Sequence, residues 1–213
     1  MPRKLPDPPA QTLLWRRLDQ PGLERASLVR TPDGDWRFSG TVLTVENGAP
    51  LELRYVLLCD KAWATRYASV ETRGQLDGPR YLQLLAMDDG SWQFRTAPSR
   101  EAAIDLPFQD LPLPDDCADV DFEFSPLTNI LPLRRLRLRP GQAADVVTLW
   151  VRVPDLRIET LEQRYHLRAA GQVQYEAAGE FQAAITIDRF GFVIRYDDLW
   201  ERIAETVIER STG

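Results

Sequence analysis

Histidine and cysteine are scarce in this chain. Of 213 residues, one is His and two are Cys. A zinc site draws three or four ligands from thiolates, imidazoles and carboxylates at close spacing. His166, Cys59 and Cys117 stand far apart and form no C-x-x-C. A Ser-His-Asp triad would have to use His166 as its base, and no G-x-S-x-G elbow supplies the serine. Neither Cys117 nor Cys59 has a neighbour that would activate its thiol for a Cys-His pair. Glycine-rich phosphate cradles are missing too, since neither G-x-x-x-x-G-K nor G-x-G-x-x-G occurs. So is a basic excess: 26 Lys and Arg stand against 32 Asp and Glu, a net charge of −6. That balance argues against a nucleic-acid partner. No run approaches the apolar length of a membrane span. The opening Met-Pro-Arg-Lys-Leu-Pro-Asp-Pro-Pro has no apolar stretch behind its charges, unlike a signal peptide. These absences predict a cytoplasmic protein with reduced thiols, no metal and no cofactor.

What remains is an ordinary globular composition, 44% hydrophobic and 27% charged. Four prolines within residues 1–11 predict a loose arm, and 12–213 read as one domain. Period-2 alternation dominates that domain. Trp36, Phe38, Gly40 and Val42 alternate with polar residues, and Asn47-Gly48 marks a turn before Leu51, Leu53, Tyr55 and Leu57. Strand patterns follow through Trp63 to Val70, Tyr81 to Ala86, Trp92 to Phe94, Val120 to Phe124 and Val146 to Val153. Others centre on Tyr165, Val173 and Tyr175, Phe181 to Ile187, and Phe192 to Tyr196. Many short strands with close turns predict a mainly β protein: an antiparallel meander, roll or barrel. One stretch reads as a helix, about 197–210. Asp198 to Glu201 resembles a capping box, and Leu199, Ile203 and Val207 recur at helical spacing.

The most informative segment is CADVDFEFSPLTNILPLRRLRLRP, Cys117 to Pro140. Read as an antiparallel hairpin, it would set Asp119, Asp121 and Glu123 opposite Arg135, Arg137 and Arg139 as a ladder of ion pairs. Arg134 would then share a face with Leu136 and Leu138. Arg66 shares its strand face with Ala64, Ala68 and Val70. An arginine on such a face needs a carboxylate, carbonyls or a bound anion. Both a structural salt bridge and a ligand contact are open for each, with Asp121 and Asp60 the obvious carboxylates.

This segment resembles the central motif of the glycolipid-binding family that was first catalogued as a domain of unknown function. The matching residues are Cys117, Asp119-Val120-Asp121, Ser125-Pro126-Leu127-Thr128-Asn129 and Leu131-Pro132-Leu133-Arg134-Arg135-Leu136. Further matches are Pro21 to Glu24, Tyr55, Asp60 to Arg66, Trp150-Val151, Gln163-Arg164-Tyr165, Tyr175-Glu176 and Asp188 to Tyr196. The sequence departs from the family at Asp116, where a Gly precedes the motif cysteine, and at Asp197, where a Pro often opens the last helix. The resemblance implies a single-domain, spiral and unclosed β-roll with a C-terminal amphipathic helix. That shape is similar to the lipoprotein carriers of the Lol system.

The resulting expectation is a binding protein that holds a lipid or glycolipid inside the roll, with arginines near the headgroup. Ligand contacts are expected from Arg66 and Arg134 and, among the matched motifs, from Tyr55, Trp63, Asp121, Asn129 and Tyr165. No catalytic residues are expected. Two alternatives differ in class: a carbohydrate-active enzyme using paired carboxylates such as Asp119 and Asp121, and a structural or interaction protein with a filled core. The volume and lining of the roll interior separate them.

Overall fold

The computed structural model describes residues 5–74, 80–114, 117–177 and 181–208. Among these, fifteen strands form one sheet. The first eight are β1 (Gln11–Arg17), β2 (Gly22–Arg30), β3 (Trp36–Glu46), β4 (Ala49–Cys59), β5 (Thr65–Arg73), β6 (Arg80–Ala86), β7 (Trp92–Ala97) and β8 (Gln109–Leu111). The remainder are β9 (Asp119–Phe122), β10 (Gln142–Val151), β11 (Ile158–Ala169), β12 (Gln172–Ala177), β13 (Phe181–Ile187), β14 (Val193–Tyr196) and β15 (Trp200–Val207). Their spatial order is 8-7-6-5-4-3-2-1-15-14-13-12-11-10-9, so the first and last strands meet in the middle. Each neighbouring pair is antiparallel except β9 and β10. Local turn chemistry builds most of this meander. Asn47 and Gly48 both take positive φ, as a tight hairpin turn between β3 and β4 requires.

The sheet curls without closing into a barrel. Its edge strand β9 comes back against the other half: Thr65 N donates to Ala118 O at 3.2 Å and Trp92 Nε1 to Cys117 O at 2.9 Å. Inward positions of β1 to β7 carry Trp15, Phe38, Leu53, Leu57, Leu82 and Leu84, all almost fully buried. The concave side is not hollow. The segment from Phe124 to Arg134 is buried along its whole length and fills it. This plug runs through a 3-10 turn at Leu127–Asn129 into helix α1 (Ile130–Leu136), the one α-helix among the described residues.

Two expectations are corrected here. Arg134 to Leu138 are not a strand, so the acidic and basic residues do not form a ladder. Pro132 falls in the first turn of α1, where its missing N–H costs nothing. Arg134 and Arg135 stand in the last turn, where cations suit the helix dipole, and Arg137 ends the helix in a left-handed conformation at φ 51°. The antiparallel hairpin would have set Glu123 opposite Arg135; instead Arg135 grips Asp119 at 2.7 Å and Glu123 pairs with Arg152. The expected helix at 197–210 is also replaced: 200–207 is β15, and 209–210 lie outside the described residues. Pairing with both β1 and β14 overrides the helical spacing. Leu14 pairs with Ala204 and Trp15 with Arg202, so Ile203 is the extra residue of a β-bulge. Residues of the supposed apolar stripe, Ile203 and Val207, are exposed at 46% and 55%.

Arg134 contacts residues 5–7 of the proline-rich segment that was expected to be a loose arm. Its Nη1 donates to Pro6 O at 3.0 Å and Phe190 O at 2.7 Å, and its Nη2 reaches Leu5 O and Asp7 Oδ1. The guanidinium lies 4.1 Å from the centre of the Trp63 ring, a cation–π contact. Burial pulls its pKa down to about 10, which leaves it charged at neutral pH. Arg134→Met should cost about 2–4 kcal/mol in denaturant unfolding, because three carbonyls lose a buried donor. Asp7→Ala should cost less than about 1 kcal/mol, since exposed ion-pair partners contribute little. Equal losses for the two would contradict this reading.

Candidate functional site

The plug carries Ser125, Thr128 and Asn129 into an apolar interior, and the sheet supplies a partner for each of these three. Asp121 accepts from Thr128 Oγ1 at 2.6 Å and from Gln163 Nε2 at 2.6 Å. Thr128 in turn accepts from the Phe122 N–H. The Tyr165 hydroxyl donates to Asn129 Oδ1 at 3.0 Å, and Asn129 donates to Pro126 O. Ser125 donates to Glu24 Oε1 at 2.7 Å, and Tyr55 donates to the same oxygen at 2.5 Å. Glu24 is fully buried, and its Oε2 has no partner among the described residues. Desolvation drives its pKa up to about 7, against the lowering effect of its two hydroxyl donors. Burial likewise raises the pKa of Asp121, countered by Thr128 and Gln163 and reinforced by the charges of Asp119 and Glu123.

The plug does not cover the whole concave face. Beyond it, on the half built by β10 to β15, a cleft of about 340 Å³ remains. Its floor is Ser125 and Asn129 from the plug, and Asp121 closes one side from β9. Facing these are Trp150, Leu161, Tyr175, Phe181, Tyr196, Leu199 and Trp200. The register explains the grouping. Asp121 lies beside Trp150, Tyr175 beside Tyr165, Ala177 beside Phe181, and Tyr196 beside Trp200. Inward positions of consecutive strands are thereby stacked into one wall. Tyr175 meets Tyr196 and Phe181 edge-on, at centroid distances of 5.8 and 6.0 Å. The result is a mostly aromatic pocket with a small polar corner, within the size range of ligand sites.

Of the seven expected contact residues, Asp121 and Asn129 line the cleft. Tyr165 sits directly behind Asn129, and Tyr55 reaches the floor only through Glu24 and Ser125. Trp63 and Arg134 belong to the anchor of the N-terminal segment; Trp63 also stacks on Trp36 at 4.8 Å. Arg66 does not point inward. Leu58 pairs with Tyr67 and Cys59 with Thr65, so Arg66 is the extra residue of a bulge. Its side chain is 49% exposed and pairs with Asp60 at 2.9 Å. Neither expected arginine lines the cleft, and the charged side chains that do are the carboxylates of Asp121 and Glu123. Sequence reasoning missed Ser125, Phe181, Tyr196 and the two cleft tryptophans as a group. Alternation marked Phe181 and Tyr196 as one face of their strands, while Ser125 was read as loop and Trp200 as helix, and the convergence of all of them depends on which strands neighbour which.

Cys59 and Cys117 are buried and neither forms a disulfide. No helix among the described residues is long and apolar enough to cross a membrane.

Residues 12–202 match the profile of the family described as Putative glycolipid-binding. Among solved structures, a protein of the DUF1089 family from Pseudomonas aeruginosa is 30% identical, with a TM-score of 0.70 over 84% of this chain and 92% of that one. A β-barrel-like protein of domain of unknown function DUF1849 from Brucella abortus is 8% identical, with a TM-score of 0.57 over 96% of this chain and all of the other. The second likeness concerns the fold alone. No curated protein matches.

Glu24 makes the floor of the cleft sensitive to pH. Its native pKa of about 7 lies above the ordinary value of 4.5. The folded state therefore holds the proton more tightly, and that contribution is complete below about pH 4.5 and lost as pH rises through about 7. At roughly 1.4 kcal/mol per decade the loss is on the order of 3 kcal/mol. Thermal melts should show the parent losing stability between about pH 5 and about pH 8 relative to Glu24→Gln. Parallel pH profiles for the two proteins would contradict this.

Proposed function

Because the chain belongs to the glycolipid-binding family that its residues 12–202 match, we propose that it is a binding protein for a lipid with a sugar head, and that the head occupies the cleft beside Asp121. The observation that carries this reading is the lining of the cleft: a carboxylate, an amide and a hydroxyl on one side, and tryptophan and tyrosine rings on the other. Sugars present hydroxyls at their edges and C–H faces that pack on aromatic rings, so both walls have something to hold. An alkyl chain attached to such a head would leave along Leu161, Phe181 and Leu199 rather than enter the plugged interior.

Binding is favoured over catalysis by the way the carboxylates are held. Asp119 is fully buried and gripped by Arg135 through two of its nitrogens. Asp121 is engaged as well, accepting from Thr128 on one oxygen and from Gln163 on the other, and these two donors work against the burial that raises its pKa. We also read the protein as cytoplasmic, on the strength of two buried thiols outside any disulfide.

Native mass spectrometry of freshly purified protein should show a bound lipid whose fragments include a sugar. Phe181→Ala tests the site itself. Phe181 lines the cleft yet is 42% exposed. The substitution should weaken binding of an alkyl glycoside by about 1 kcal/mol while the melting temperature stays within about 2 °C. Binding unchanged by this substitution and by Trp150→Ala would place the ligand elsewhere.

A further inference from the structure

The charge around the cleft carries more information than its shape. Among the described residues, the only ionisable side chains of definite charge that line it are Asp121 and Glu123, and both are acidic. Glu123 is compensated, since Arg152 lies 3.2 Å from its Oε1 and the Val153 N–H donates to its Oε2. Asp121 is not. Its two partners, Thr128 and Gln163, are neutral donors, one to each oxygen. A carboxylate has about four lone-pair sites, so about two are not taken up by these donors, and Asp121 is one of the residues that line the cleft.

Two guanidiniums stand near the aromatic wall, and both are paired with carboxylates. Arg152 lies 4.3 Å from the centre of the Trp150 ring and is paired with Glu123 and Glu159. Arg17 lies 5.6 Å from the Trp200 ring centre and is paired with Asp19 and Glu46. Neither lines the cleft. Arg134 and Arg66, the residues that an anionic head would need, are occupied elsewhere.

Resting on the binding reading above, we infer that the cleft selects by charge: it accepts an uncharged, hydroxyl-rich head and excludes heads that carry phosphate, sulfate or carboxylate. A sugar hydroxyl donates to the free lone pairs of Asp121 with no charge penalty. An anionic oxygen in the same place meets a like charge in a partly desolvated site, and such juxtapositions cost several kcal/mol.

The test compares two soluble probes of one shape. Octyl glucoside carries a hydroxymethyl group where octyl glucuronide carries a carboxylate. Each is titrated below its micelle-forming concentration, with tryptophan fluorescence and calorimetry as readouts. The parent should bind the glucoside at least about tenfold more tightly. Asp121→Asn should narrow the gap to less than about threefold, with melting curves confirming the fold. Phe181→Lys, at the exposed rim, provides an independent variant and should shift preference toward the glucuronide. Equal or tighter glucuronide binding by the parent would overturn the charge rule while leaving the cleft as the binding site. Binding of neither probe, with a bound lipid still seen by native mass spectrometry, would overturn the assignment of the head to this cleft and the charge rule with it.

Discussion

A curled sheet of fifteen strands has to fill its concave face, and in this protein the chain fills it with itself. Residues Phe124 to Arg134 form an inner plug, and the rest of the structure answers to it. The plug cannot be purely apolar, because a tight turn into a short helix exposes backbone and side-chain polar groups to the interior. Each such group costs more unpaired than it returns when paired. Glu24, Asp119, Asp121, Gln163 and Tyr165 are on the sheet to meet that demand. Arg135 ties the helix to Asp119, while Arg134 turns the other way and ties the N-terminal segment down.

The plug also decides what kind of site is available. An open roll could take an acyl chain along its axis. This one leaves a cleft where the aromatic wall of β10 to β15 extends past Ser125 and Asn129. The polar corner of that cleft consists of residues that already support the plug. Anything bound there touches groups that hold the fold together, which couples occupancy to the position of the plug.

The strands were legible in the sequence wherever one face is buried and one exposed, as in Leu51, Leu53, Tyr55 and Leu57. So was the turn at Asn47-Gly48. The errors share a cause. Arg135, Arg137 and Arg139 alternate with leucines at period 2, yet α1 runs to Leu136 and Arg137 and Arg139 follow it as exposed residues outside any strand; the helix begins inside the roll, where Ile130 to Arg134 are buried on every side and periodicity carries no facing information. The reverse holds for Ile203 and Val207, whose helical spacing comes from a bulged strand between two partners. Arg66 was placed inward because a bulge cannot be seen in alternation alone. Asp121 and Asn129 were found through the motif that makes the plug. The tryptophans and tyrosines that complete the cleft converge only once strand order is known.

The central claim is that the ligand's head lies between Asp121 and the aromatic wall, outside the plug. The most direct measurement is a crystal structure with an alkyl glycoside bound. The account predicts a sugar ring on Trp150 or Trp200, with a hydroxyl on an Asp121 oxygen, and Phe124 to Arg134 still in place. Ligand density in the space now filled by the plug, with that segment displaced, would contradict it.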